Sequence, residues 1–337
     1  MNQKHHRYLG SMMIIAITLM VALPACNQGS NTSTETEPLK AEPTEIQPAE
    51  PTDVPPTEVP APTQEPTVEL GLPPISAEPQ RVEFQAQDGK NLIGYYFPAA
   101  VNPAPTVILM HWAGGDQRDW LAIAPWLQNR PDELAEFAGW AEAIGSDCGP
   151  QFEGPWLDPS WFPAMPPDLS FAVFTFDFRD FCESEDGVGI QLEWALDAKA
   201  AFETASELPG VDPHQMAAIG ASIGADGAPD GCLLHNGGGE TCLGAFSLSP
   251  GNYLTMIYAD VIADLRSEEP PKPVWCLTAK EDVDSVETCL SASSDLYRTQ
   301  IYDGDEHGMM LVTPEFVPNP MDWIQDFLEV VFSVEIN

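Results

Sequence analysis

Eight short apolar runs recur along residues 81 to 303, most of them separated by segments with helical spacing. In order they are RVEFQAQ, NLIGYYFPA, TVILMHW, FAVFTFDF, MAAIGAS, LGAFSLS, PVWCLTA and YRTQIYD. The first two flank Asp88-Gly89, a hairpin signal. The later runs are apolar almost throughout, as strands buried on both faces of a parallel sheet must be. Between the fourth and fifth runs, Trp194, Ala198, Ala201, Phe202 and Ala205 follow helical spacing and predict a helix over Gly189 to Leu208. A last helix is expected after Pro320, through MDWIQDFLEVVF. A hairpin followed by repeated strand–helix units predicts an α/β fold: an eight-stranded, mostly parallel sheet with helices on both faces and an N-terminal antiparallel hairpin. One stretch after the third run breaks the rhythm. Residues 129–169 form an aromatic-rich insertion holding Trp140, Trp156 and Trp161, three of the nine tryptophans. Such an insertion either overhangs a site or packs on its own aromatics as a surface feature.

The chain before this domain has a different character. Lys4 and Arg7 precede the apolar run MMIIAITLMVAL, which is too short to span a bilayer stably and leads into LPAC. That tetrapeptide resembles a bacterial lipobox. The resemblance implies a signal peptide over residues 1–25 and a lipid on Cys26, with membrane attachment through that lipid; an ordinary secretory signal or an uncleaved anchor is the alternative. Residues 26–80 are rich in Thr, Pro and Glu and hold too few large apolar side chains to build a core. They read as a disordered tether, reaching on the order of 150 Å if mostly polyproline II. A Pro-rich ligand for a partner domain is the rival reading. Residues 81–337 remain as one domain.

Charge and cysteine content narrow the partners. Of 13 Lys and Arg and 52 Asp and Glu, 3 and 10 fall in the first 80 residues, leaving 10 against 42 for the domain. So acidic a surface argues against nucleic acid and against anionic lipid. Apart from Cys26 there are six cysteines, an even set for an exported chain: Cys148, Cys182, Cys232, Cys242, Cys276 and Cys289. Proximity favours pairing Cys232 with Cys242 and Cys276 with Cys289, which leaves Cys148 with Cys182. Free buried thiols are the alternative.

The candidate chemistry centres on Gly220-Ala221-Ser222-Ile223-Gly224, a G-x-S-x-G match frequent by chance in a chain with 25 glycines. Its context adds weight. Ser222 ends an apolar run and is followed by Gly224, Ala225 and Gly227, the strand, tight turn and helix that a nucleophile elbow requires. Pro229, Gly231 and Cys232 predict that the helix behind the elbow is cut short. A serine hydroxyl needs a base to remove its proton. Of the six histidines, His5 and His6 lie in the leader, His214 precedes the serine's own strand and His235 lies between Cys232 and Cys242. His307 follows the last strand-like run, where a loop at a strand's carboxyl end would hold it over the sheet. Asp282, just past the seventh run, is the expected carboxylate partner of that histidine, with Glu281 and Asp284 as neighbouring alternatives. The acidic run Asp303, Asp305 and Glu306 beside His307 matches no metal-ligand spacing, so no metal is expected.

The stretches DGKNLIGYYFPA, VILMHWAGGDQRDW, FTFDFRDFCESEDG, PGVDPHQMAAIGASIGA, PVWCLTAKED and DEHGMML together make the domain similar to α/β-hydrolases, nearest the dienelactone hydrolase-like branch. The resemblance implies a nucleophile, acid and base in the order Ser222, Asp282 and His307. It also implies an oxyanion hole from the backbone N–H of Ile223 and of Trp112 or Ala113. Two departures stand out. His111-Trp112 replaces the family's usual His-Gly, and Asp180 and Cys182 replace two glycines of D-x-R-G-x-G-x-S, so that loop is expected to turn differently. The function implied is an extracytoplasmic serine hydrolase of a small-molecule ester, needing no cofactor and no protein partner. A peptidase or amidase of the same fold is one alternative, separable by comparing esters with aminoacyl amides. A tethered, non-catalytic binding protein is another, separable by an active-site probe.

Overall fold

A computed structural model of the chain describes residues 72–187, 191–239 and 241–332. The signal segment, Cys26 and most of the Pro-rich segment lie outside the described residues. From Pro73 the chain is already tied to the domain: the Gln128 side-chain amide donates to the carbonyls of Ala77 and Pro98, and Arg130 to that of Ile75.

The strands are β1 (Gln80–Gln85), β2 (Asn91–Phe97), β3 (Ala104–Met110), β4 (Ala172–Phe176), β5 (Val211–Ala221), β6 (Cys242–Leu248), β7 (Val274–Ala279) and β8 (Tyr297–Tyr302). All eight apolar runs are therefore strands. The helices are α1 (Ile123–Gln128), α2 (Pro131–Leu134), α3 (Trp140–Ala143), α4 (Gln191–Ser206), α5 (Ile223–Asn236), α6 (Tyr258–Ser267), α7 (Val283–Ser291) and α8 (Pro320–Phe332). One sheet holds them in the order β1-β2-β4-β3-β5-β6-β7-β8. The pairs β1/β2 and β2/β4 are antiparallel and the remaining pairs parallel. This is the expected α/β architecture.

Period-two alternation divides the core between the two faces. On β3, Ile108 and Met110 join α4, α5 and α6 in one apolar cluster, whereas Val107 and Leu109 join α1 and α8 in the other. The middle of the sheet admits a helix closely because β5 carries small side chains. A Cβ on Gly220 would lie 1.8 Å from the Gly224 carbonyl oxygen, and one on Gly224 would lie 2.3 Å from that of Met110. Glycine at both positions lets α5 start against the ends of β5 and β3.

One sequence expectation needs correction. Helix α5 is not cut short: it runs through Pro229 and Gly231 to Asn236. Proline removes the N–H that would have bonded the Ala225 carbonyl, and Ser247 Oγ on β6 supplies the replacement donor at 2.7 Å. Gly231 leaves room for Phe202 of α4, 3.0 Å from where its Cβ would stand. In the loop after β4, Asp180 and Cys182 take positive φ, 71° and 40°, the left-handed region that glycine adopts most readily. The Asp180 carboxylate accepts the Gly187 N–H at 2.6 Å, and buried Arg179 pins the loop to Asp197 and Asp88.

The three disulfides join the cysteines as proximity suggested. Cys232–Cys242 staples α5 to β6, Cys276–Cys289 staples β7 to α7, and Cys148–Cys182 ties the insertion to the loop after β4. Among the described residues no helix is long and apolar enough to cross a membrane.

Candidate active site

Ser222 sits between the end of β5 and the start of α5 with φ 52° and ψ −112°. That backbone is costly for a residue with a side chain, and it persists because the Ser222 N–H is bonded to the Leu248 carbonyl at 2.8 Å and glycines flank it. The turn aims the hydroxyl away from the core, at the carboxyl end of the sheet.

His307 reaches it from the loop after β8. Ser222 Oγ lies 2.8 Å from His307 Nε2, and His307 Nδ1 lies 2.7 Å from Asp282 Oδ2. The carboxylate can only accept, so the imidazole proton sits on Nδ1 and leaves Nε2 free to take the serine proton. Asp282 ends the turn after β7 and precedes α7. The loops carrying acid and base are aligned by main-chain bonds, from Lys280 N–H to the Tyr302 carbonyl and from Glu281 N–H to that of Gly304. Glu281 and Asp284 are exposed, and of the three alternatives Asp282 is the one whose carboxylate meets His307. His214 is exposed at the start of β5, and His235 packs on Phe202 in the last turn of α5. Neither approaches the serine in this arrangement.

The loop after β3 lies against the first turn of α5. His111 is fully buried, its Nε2 accepting the Phe178 N–H at 3.0 Å and its Nδ1–H donating to the Trp112 carbonyl at 2.8 Å. Burial holds His111 down at about 4, so it is neutral and serves as a strut. Because C=O and N–H oppose one another across a trans peptide, fixing the Trp112 carbonyl toward His111 directs the Ala113 N–H away from it. The N–H of Ile223, first in its helix, has no intrahelical acceptor. The Trp112 carbonyl thus fixes the orientation of the Ala113 N–H, and Ile223 opens the helix that follows Ser222.

The tryptophan that replaces glycine in this loop is held by an acid that sequence reading missed. Trp112 Nε1 donates to Asp119 Oδ2 at 2.7 Å, and Trp156 Nε1 points at Asp119 Oδ1 from 3.4 Å. Asp119 is fully buried, and burial pushes its carboxyl up to about 6. Trp156 and Phe152 of the insertion pack edge-on against Trp112, at 6.0 and 5.6 Å between ring centres. The insertion therefore reaches the loop beside the serine and is also pinned through Cys148. Only a tertiary contact identifies Asp119. Its sequence neighbourhood, DQRDW, carries no signal beyond polarity.

A second missed group is Tyr253, whose ring meets His307 edge-on at 6.1 Å. Its loop is held by Asp226, one turn into α5, which accepts the N–H of Gly251 and of Tyr253. Burial pushes Asp226 up to about 7.

One cluster has metal-like composition. Asp116, Asp177 and Cys182 bring their ligand atoms within 4.8 Å of one another. Cys182 Sγ is bonded to Cys148, Asp116 is taken by the Arg118 guanidinium, and Asp177 accepts from the backbone and side chain of Gln117. The set is spent on holding the loop together.

No protein-family profile matches the chain. Among curated proteins it is 26% identical over 158 residues to the uncharacterized protein YfhR of Escherichia coli K12, covering 46% of this chain and 41% of that one. It is 24% identical over 155 residues to YfhR of Salmonella typhi, covering 45% and 39%. The chain thus spans about two fifths of the length of these relatives. Among solved structures it resembles the Pyrococcus furiosus esterase Pf2001, with TM-score 0.50, 16% identity, 76% of this chain and 94% of that one covered. It also resembles 2,6-dihydroxy-pseudo-oxynicotine hydrolase, with TM-score 0.50, 12% identity and coverage of 77% and 70%. With the strand order and elbow above, these likenesses establish the α/β-hydrolase fold.

Proposed function

We propose that the protein is a serine hydrolase of carboxylic esters, of the dienelactone hydrolase-like branch, working outside the cytoplasm on a lipid-anchored tether. The reading is carried by one observation: the hydrogen-bonded chain from Ser222 Oγ through His307 to Asp282, at 2.8 and 2.7 Å. In the proposed reaction Ser222 Oγ attacks the ester carbonyl while His307 Nε2 takes its proton. Asp282 stabilises the resulting imidazolium. The oxyanion is received by the N–H of Ile223 and of Ala113, at about 3 kcal/mol for each well-placed donor. His307 then protonates the leaving alcohol. The acyl group on Ser222 is released as acid by a water activated at the same Nε2.

Three further points support it. The strained backbone at Ser222 is the kind that persists where function needs a side chain presented. The esterase among the structural neighbours shows that this fold accommodates ester hydrolysis. Three disulfides suit an oxidising compartment, in keeping with lipidation at Cys26.

The test is hydrolysis of a panel of short- and long-chain esters against matched aminoacyl amides, with Ser222→Ala as control. Ester turnover lost in the variant is expected. Preferential turnover of amides would transfer the protein to the peptidase reading.

A further inference from the structure

The loop between β6 and α6 presents one side chain to the proposed base: Tyr253 meets His307 edge-on, with ring centres 6.1 Å apart and planes at 86°. Its backbone is held in a costly shape. Ser249 and Asn252 take left-handed φ of 59° and 55°, a conformation that residues with side chains keep only where their surroundings enforce it. Three helices enforce it here. From α5, Asp226 accepts the N–H of Gly251 and of Tyr253. From α6, the Tyr258 N–H donates to Asn252 Oδ1 at 2.8 Å, and on α7 Thr288 Oγ1 accepts from Asn252 Nδ2 at 3.3 Å. Two of these helices lead back to the proposed reacting groups: the Asp226 N–H is bonded to the Ser222 carbonyl at 3.3 Å, and α7 begins immediately after Asp282.

The ring itself is as closely placed as the backbone. A Cβ on Gly251 would stand 2.2 Å from Tyr253 Cζ and 2.5 Å from its Cε2 and hydroxyl oxygen, so glycine there leaves the space that the ring fills. The edge-on contact with His307 is a favoured aromatic geometry. The histidine has need of it. The hydrogen bond from Nδ1 to Asp282 fixes one point of the imidazole, but a single bond leaves the ring free to swing about its own line. With 28% of its side chain exposed, His307 is not held by enclosure. A locked neighbouring ring limits that swing.

From the braced loop, the space at Gly251 and the ring contact we infer that Tyr253 is a positioning residue, which holds the His307 imidazole in the orientation where Nε2 faces Ser222 Oγ. This inference rests on the catalytic reading of Ser222 and His307. Tyr253 acts through the histidine, so its loss slows the proton transfers and leaves substrate binding as it was.

The experiment measures steady-state ester hydrolysis, the rate of fluorophosphonate labelling at Ser222 and the melting temperature. It compares the full-length wild type with Tyr253→Phe, Tyr253→Leu, Gly251→Ala and the double variant Tyr253→Leu with Gly251→Ala. Tyr253→Leu should lower kcat and the labelling rate together, about tenfold to a hundredfold, with KM within about twofold of wild type. Tyr253→Phe keeps the ring and should stay within about threefold of wild type. Gly251→Ala puts a methyl group where the ring lies and should cost kcat to the same order as Tyr253→Leu. Leucine lacks the Cε2, Cζ and hydroxyl atoms that this methyl meets, so the double variant should be no slower than Tyr253→Leu alone. Losses that add in the double variant, or that follow the melting temperature in place of kcat, would overturn the inference and leave Tyr253 a support of the fold. If Tyr253→Leu does not fold, Gly251→Ala decides: a folded protein with kcat lowered about tenfold or more supports the inference, and one with wild-type kcat overturns it. A wild type unlabelled at Ser222 would overturn the catalytic reading and this inference with it. A labelled wild type matched in rate by Tyr253→Leu would overturn this inference alone.

Discussion

At the scale of residues, the site rests on a division of labour among acids. Asp282 faces an imidazole, through which we propose that it acts; Asp119 faces two indoles and fixes where a loop lies. Asp282→Asn would place an amide N–H₂ or a neutral oxygen against Nδ1 and lose the tautomer that frees Nε2. The expected result is a fall in kcat on the order of 10⁴-fold with KM little changed, measured by steady-state ester hydrolysis. Asp119→Asn keeps the shape, yet can accept only one indole N–H and turns its own donor toward the other. A displacement of Trp112 moves the Ala113 N–H with it. We therefore expect kcat reduced about tenfold to a hundredfold, with the intrinsic fluorescence of the tryptophans shifted, whereas circular dichroism stays that of the wild type.

At the scale of elements, the strands and the turns that carry the three proposed reacting groups were legible because apolar runs and a strand–turn–helix pattern are local signals. Ser222, Asp282 and His307 each follow a run that alternation or composition marks as a strand. The three cysteine pairs were legible from closeness along the chain. What local signals could not show is where another element supplies a missing bond. Pro229 reads as a helix stop, yet α5 continues because Ser247 on β6 donates to the carbonyl that proline abandons. Asp180 and Cys182 stand where the resemblance has glycines, and Gly187 and the Cys148 disulfide hold both in left-handed turns. The Trp112–Asp119–Trp156 contact was hidden for the same reason, since Asp119 and Trp156 lie 37 positions apart. Ser247→Ala follows as a test. It leaves the Ala225 carbonyl buried and unpaired, and should cost about 1–3 kcal/mol in urea unfolding.

At the scale of the whole molecule, an acidic chain has also buried acids. Burial pushes Asp226 up to about 7, Asp177 up to about 8, and Asp230 well above the usual carboxylate range. Asp230 is one turn beyond Asp226 on α5, and among the described residues neither of its oxygens has a hydrogen-bond partner. A folded-state pKa above the unfolded one means that the folded protein binds the extra proton. The stability is fully present below the ordinary value of 3.8 and is lost as pH rises through the folded value. His111 acts in the opposite sense: held at about 4 against an ordinary 6.5, its contribution grows with pH and is complete by about 6.5. Above that point the acids govern. The melting temperature is therefore expected to fall between pH 6.5 and 9, and Asp230→Asn, which cannot ionise, should melt higher than wild type by a margin that widens with pH. A margin that shrank with rising pH would mean that Asp230 is stabilised as an anion.

The central claim is that Ser222 is a nucleophile activated by His307. Its most direct test is reaction of the full chain with a fluorophosphonate probe, followed by intact mass and peptide mapping. The account predicts one adduct, on Ser222, absent in Ser222→Ala and formed far more slowly in His307→Ala. A folded wild-type protein that stays unlabelled, or one labelled equally well without Ser222, would contradict it.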